Sequence, residues 1–181
     1  MQNIIKLIKE IGKIKNVKRA GWVREGIKNP ESVVDHSYRV AVMAMIFGKD
    51  LNVNQDKLIK MALVHDLGEG SIGDLISQRG IKIDTKLRDA KDAKEAEAVR
   101  RVFSDNEALY GLQKEFLKVE SNEAKILKQL DRLEMAVQAL EYEEKTGKDL
   151  TEFFDNATMR IENEYLKKLL NEVKSSRPKK S

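Results

Sequence analysis

The chain has 181 residues and a mass of 20.7 kDa, the material of one ordinary domain rather than two independent cores. Lys and Arg total 34 against 30 Asp and Glu, and Lys174, Arg177, Lys179 and Lys180 supply the whole excess of +4. The pI of about 9.1 therefore reports a basic polar tail at 174–181, expected to be disordered, and not the clustered face that a nucleic-acid partner needs. Cysteine is absent, which removes disulfides, thiolate metal sites and thiol nucleophiles, so any metal must be held by nitrogen and oxygen.

Apolar residues recur at helical spacing along most of the chain and no stretch alternates at period two, which predicts an all-α domain over 1–173. Ile4, Ile5, Ile8, Ile11 and Ile14 stripe a first helix. Gly21, Gly26 and Pro30 then mark a loop that holds the chain's single tryptophan, Trp22. Ser32 followed by Asp35 is a capping box, and the helix it opens turns Val33, Val40, Met43, Ala44 and Phe47 inward, with His36 in its first turn. Asn54 caps a third helix whose inner face is Leu58, Met61, Ala62 and His65, and glycines at 68, 70 and 73 end it.

Thr85 to Phe103 is a highly charged helix whose run from Lys91 to Arg101 is expected to be a solvated face, and Leu109 to Val119 is a shorter helix. From Asn122 to Lys145 a long helix repeats Ile126, Leu130, Leu133, Val137 and Leu140 at alternating steps of four and three, a core-facing stripe. Gly147 ends it. A segment around Phe153, Phe154 and Met159 follows, then an amphipathic helix through Ile161, Tyr165, Leu166, Leu169 and Val173. No apolar run approaches the ~20 residues of a bilayer span and the N-terminus has no secretory signal, so a cytoplasmic protein with no membrane partner is expected.

The two histidines, His36 and His65, are the only ones in the chain. With Asp66 and the remote Asp131 they offer two imidazoles and two carboxylates from three helices, a first shell for one divalent ion. Imidazole with carboxylate suits Co, Mn, Fe or Ni, with Mg or Zn as alternatives, and four ligands on an octahedral ion leave open positions. Such an ion activates water and polarises a phosphoryl oxygen. Glu69 and Asp74 lie in the following glycine-rich segment, where the backbone is free to fold both carboxylates over the ion as general acids or bases. Each residue also has a plainer use: Trp22 as a core cap, Asp74 as the N-cap of a helix from Leu75 to Gln78, Asp131 as a solvated residue beside a core stripe.

His36, the pair His65-Asp66, Glu69, the Gly73-Asp74 step and Asp131 together resemble the pattern of the HD-domain metal phosphohydrolases. Lys18-Arg19-Ala20-Gly21-Trp22, Pro30 to Ser37, Leu63-Val64-His65-Asp66, Leu130-Asp131 and Glu141-Tyr142-Glu143 are similar to the 5'-deoxynucleotidase branch, over roughly residues 1–170. The resemblance implies a compact HD-type helical fold, usually a homodimer, that hydrolyses deoxyribonucleoside 5'-monophosphates with one divalent ion. It implies His36, His65, Asp66 and Asp131 as ligands, Glu69 as the catalytic carboxylate, Asp74 on the sugar hydroxyl and Trp22 against the ribose. In the branch's bacterial member the phosphate-binding arginine directly precedes the tryptophan. Here Gly21 does, so Arg19 is the candidate, with Lys18 and Arg24 as alternatives.

Two other functions compete. One is cleavage of a phosphodiester or a nucleoside triphosphate, against which stand Trp22, the small chain and the lack of a third histidine. The other is a non-catalytic helical module with a closed, structural metal.

Overall fold

The computed structural model describes residues 4–74, 78–79, 82–83, 85–103 and 106–178. Helices dominate them: α1 (Ile4–Gly12), α2 (Ala20–Arg24), α3 (Val33–Phe47), α4 (Gln55–Val64), α5 (Glu69–Ile72), α6 (Thr85–Phe103), α7 (Glu107–Lys118), α8 (Asn122–Thr146), α9 (Thr151–Arg160) and α10 (Glu164–Ser175). A two-residue antiparallel hairpin, β1 (Gln78–Arg79) with β2 (Lys82–Ile83), is the one addition to the all-α class among these residues. No helix among the described residues is long and apolar enough to cross a membrane.

Local chemistry starts the helices where the sequence predicts. The Ser32 hydroxyl accepts from the Asp35 amide while the Asp35 carboxylate accepts from the Ser32 amide at 2.7 Å, so α3 begins at Val33 and carries His36 in its first turn. Asn54 accepts from Lys57 N to open α4, and Ser121 accepts from Ala124 N to open α8. At Gly147 a positive φ of 67° closes α8, a conformation that only glycine adopts without strain.

α8 is the hub, packed against α3, α4, α7, α9 and α10. Because neighbours surround it, its buried face is wider than the single predicted stripe. Leu127, Ala136 and Ala139 join Leu130 and Leu133 inside, while Val137 and Leu140 are only half-buried. The Glu141-Tyr142-Glu143 run is structural. Glu141 pairs with Arg39 at 2.7 Å, the Tyr142 hydroxyl accepts from Glu31 N at 2.9 Å, and Glu143 takes a forked pair of bonds from Arg177 at 2.7 and 2.8 Å.

Several expectations need correction. The stripe Ile4, Ile5, Ile8 and Ile11 is exposed, because α1 meets α5, α6 and the turn that follows it without being covered along this face by the described residues, and Ile14 alone of the five is buried. The glycine-marked loop around Trp22 contains the helical turn α2. α6 is not solvated all round: Glu95, Ala98 and Val99 are buried. Helix α10 runs to Ser175, past the expected end of the domain at 173, and Arg177 stacks on Phe154 at 4.1 Å, so the basic tail is fastened at least this far. The helix considered for Leu75 to Gln78 lies outside the described residues, apart from Gln78 in β1.

Candidate active site

A short antiparallel pairing brings the first site segment to α3. Lys18 bridges Ser32, Arg19 N donates to Glu31 O at 3.1 Å, and Val33 N donates to Val17 O at 2.9 Å. This lays Arg19 beside the turn that carries His36. His65 and Asp66 follow at the C-terminal end of α4, and Asp131 projects from the middle of α8.

These residues converge in the interior. The donor atoms of His36, His65 and Asp131 all lie within 4.8 Å of one another. His36 Nε2 is 3.1 Å from Asp131 Oδ1, while Asp66 Oδ2 stands 3.3 Å from His65 Nε2 and 3.9 Å from His36 Nε2. Both imidazoles are buried, and neither Nε2 makes a well-formed hydrogen bond. The Nδ1 atoms are tied up elsewhere, His36 to Glu134 Oε2 at 2.5 Å and His65 to the Ala62 carbonyl at 2.7 Å. A carbonyl only accepts, so Nδ1 of His65 carries a proton and Nε2 is the nitrogen that faces inward. Two orphaned Nε2 atoms facing two carboxylates form a donor set that fits a divalent cation of the borderline class.

The charge balance agrees. Burial and Arg19 act to lower the His36 pKa, yet Glu134 and Asp131 outweigh them and push it up to about 10. Negative charge around this imidazole thus holds an added positive charge at Nε2, whether proton or metal ion. For Asp66 and Asp131 burial favours protonation, but the neighbouring imidazoles and Arg19 hold both well below the usual carboxylate range.

Arg19 faces this cluster from the other side. Its Nη1 lies 3.4 Å from Asp66, 3.7 Å from Asp74 and 4.0 Å from Glu69, and its Nη2 lies 4.0 Å from Asp131. Burial opposes its charge, but Asp74, Asp66, Glu69 and Asp131 keep the guanidinium ionised. Glu69 opens α5 and is completely buried. Its placement depends on Gly68, where a Cβ would come within 3.0 Å of the Glu95 carbonyl of α6. At Gly73 a φ of +79° turns the chain back, so that Asp74 Oδ2 accepts from Ala20 N at 2.8 Å. Asp74 therefore holds the start of α2 against the site.

A model of the HD domain matches residues 11–174. The chain belongs to the HD domain family. A 5'-deoxynucleotidase HDDC2 from Danio rerio is 42% identical over 158 residues, covering 85% of this chain and 78% of the relative. A solved Pyrococcus horikoshii protein superposes with a TM-score of 0.79 at 30% identity, covering 96% of this chain and 99% of that one. A predicted metal-dependent phosphohydrolase from Magnetospirillum magnetotacticum gives a TM-score of 0.69 at 25% identity, covering 96% and 94%. HD-domain membership also implies a divalent metal, which the donor set above suits.

Within this HD domain His36, His65, Asp66, Glu69, Asp74, Asp131 and Arg19 come together, and Trp22 does not join them. Trp22 is 1% exposed, stacked on Phe153 at 4.2 Å and edge-on to Tyr142 at 5.2 Å, with its indole N–H donating to Glu31 at 2.8 Å. Buried in this way it has no surface to offer a ribose. Keeping Arg19 in register with the phosphate arginine leaves Ala20, not a tryptophan, immediately after it. Of the alternatives to Arg19, Arg24 pairs with Glu25 and Glu152, and Lys18 is exposed.

Periodicity alone missed three charged residues. Glu134 lies one turn beyond Asp131, completely buried. Arg39 of α3 forms an ion pair with Glu134, its Nε 3.0 Å from Oε1. Lys128 lies one turn before Asp131 with its ammonium 3.6 Å above the Phe116 ring, and burial lowers its pKa while Asp131 and Asp66 oppose that shift. The available signal was spacing: residues three before and three after Asp131 share its side of α8.

Proposed function

We propose that this HD-domain protein is a metal-dependent 5'-deoxynucleotidase that converts deoxyribonucleoside 5'-monophosphates into deoxynucleoside and phosphate. The convergence of His36, His65, Asp66 and Asp131 under Arg19 and Glu69 supports phosphate chemistry, and the relatives named 5'-deoxynucleotidase supply the substrate class. The four ligand candidates would hold one ion through two Nε2 atoms and two carboxylates, with Co, Mn, Fe or Ni favoured by the donor set and Mg or Zn as alternatives. Such an ion, when bound, polarises the phosphoryl oxygen and acidifies water.

Arg19 turns from its carboxylates to the substrate phosphate, a forked donor meeting a planar pair of oxygens. Glu69, fully buried in the packed turn after Gly68, takes the proton of the attacking water as the new O–P bond forms and the bond to the 5'-oxygen breaks, and that proton then passes to the leaving 5'-oxygen. Asp74, anchored by Ala20 N, orients the sugar through its 3'-hydroxyl. A homodimer in the cytoplasm completes the assignment. Exposed Tyr38, Met45 and Ile46 on one side of α3 supply apolar surface for a second copy.

Phosphate release measured across 5'-deoxy, 5'-ribo and 3'-monophosphates, each with Co, Mn, Ni, Mg and Zn, tests this function. The 5'-deoxynucleotides should turn over fastest. Release from none of the 5'-monophosphates, with any metal, would dismiss it.

A further inference from the structure

Glu134 is a completely buried carboxylate that the proposed chemistry does not use. Burying such a charge costs several kcal/mol unless nearby donors and cations offset it. Its partners are specific: Oε2 lies 2.5 Å from His36 Nδ1 and Oε1 lies 3.0 Å from Arg39 Nε. Arg39 is itself held by Glu141 at 2.7 Å and by a short bond to Gln138. His36 is thus held at Nδ1 by Glu134, while Asp131, one turn earlier on α8, places Oδ1 3.1 Å from the unbonded Nε2. His65 has a weaker support, a single backbone carbonyl.

The donor atoms of Glu31, His36 and Glu134 also fall within 4.8 Å of one another. That trio does not make a second metal site. Arg39 lies 3.0 Å from Glu134 and 3.8 Å from Glu31, and the Trp22 indole occupies the other Glu31 oxygen, so cationic and N–H donors already fill the space.

We propose that Glu134 is a positioning residue for the metal centre. By accepting from Nδ1 it fixes the His36 ring and tautomer with Nε2 toward the ion and makes His36 a stronger donor than His65, while Arg39 locks the Glu134 carboxylate. The proposal rests on His36 being a metal ligand. A carboxylate behind a ligating imidazole raises its basicity, and losing such a partner weakens metal binding by roughly 10- to 100-fold.

The test uses the full chain stripped of metal and titrated with Co²⁺ against a chromogenic chelator, comparing wild type, Glu134→Gln, Glu134→Ala and His36→Ala. Circular dichroism melts confirm that each variant is folded. Glu134→Gln should weaken Co²⁺ binding by about 10- to 100-fold, and His36→Ala should weaken it further. Wild-type affinity in folded Glu134→Gln, with binding lost in His36→Ala, overturns the positioning role and leaves the metal site standing. Wild-type affinity in His36→Ala overturns both. Should the Glu134 variants fail to fold, nitrogen NMR of Zn²⁺-loaded wild type decides: a downfield, hydrogen-bonded Nδ1–H on His36 is expected, and a proton on Nε2 refutes the proposal.

Discussion

Arg19 Nη1 lies 3.4 Å from Asp66 Oδ2, joining residues 47 apart in sequence. The same guanidinium comes within 4.0 Å of Glu69, Asp74 and Asp131, so one cation balances four carboxylates.

Removing it should have two opposite effects. Arg19→Ala loses a charged donor to phosphate, worth about 1.5–3 kcal/mol, and should raise KM for a 5'-monophosphate by about 10- to 100-fold. It also removes a positive charge that competes with a metal ion for the same carboxylates, so Co²⁺ affinity should rise. Isothermal titration with Co²⁺ and steady-state kinetics on dAMP check both, and a fall in Co²⁺ affinity would show that Arg19 does not compete.

Glu69→Gln preserves the size of a fully buried side chain but cannot act as a base. Turnover should drop by about 10²–10⁴, the usual worth of a positioned general base. Bound metal, counted by elemental analysis, should be unchanged. Loss of metal would instead make Glu69 a ligand.

Trp22 should matter for stability rather than for sugar choice. Trp22→Ala opens a cavity between Phe153 and Tyr142 and should cost about 3–5 kcal/mol in urea unfolding. The milder Trp22→Phe keeps most of the packing and removes only the N–H that serves Glu31. Its ratio of dAMP to AMP turnover should match wild type, and a collapse of that ratio would return Trp22 to the sugar pocket.

Glu31 gives the fold a pH dependence of unusual sign. Burial, reinforced by the charge of Glu134, pushes its carboxyl up to about 7, whereas an exposed glutamate titrates near 4.5. The folded state therefore holds a proton that the unfolded chain releases, and this stabilisation is full below about pH 4.5 and lost as pH rises to about 7. The loss is on the order of 3 kcal/mol. Glu31→Gln stays neutral throughout, so its stability relative to wild type should grow from pH 4.5 to 7.5 in urea melts. A difference that does not vary with pH would place the Glu31 carboxyl at its ordinary value.

Much of this architecture was legible from local rules. The Ser32–Asp35 capping box, the Asn54 cap and the Gly147 stop each act within a few residues, so α3, α4 and α8 begin or end where the sequence indicates. The clustering of His36, His65, Asp66 and Asp131 was anticipated for a different reason: the histidines are the only two in the chain, and it was the resemblance to the HD-domain pattern, not spacing, that singled out Asp131. Trp22, Glu134 and the isoleucines of α1 were not, because burial at those positions is decided by which distant helix covers them. Trp22 is enclosed by Phe153 from α9 and Tyr142 from α8, and Glu134 meets its partners on α3. The glycines of the active-site segment were expected to supply flexibility. At Gly68 the structural need is instead the absence of a Cβ against α6.

The most direct measurement is a metal titration of chelator-stripped protein followed by phosphate release from dAMP. Activity should be absent without metal, rise linearly, and saturate near one divalent ion per chain, with His65→Ala and Asp131→Asn failing to recover it at the same metal concentration. Full activity in the stripped protein, or wild-type recovery in both variants, would contradict a single ion held by His36, His65, Asp66 and Asp131.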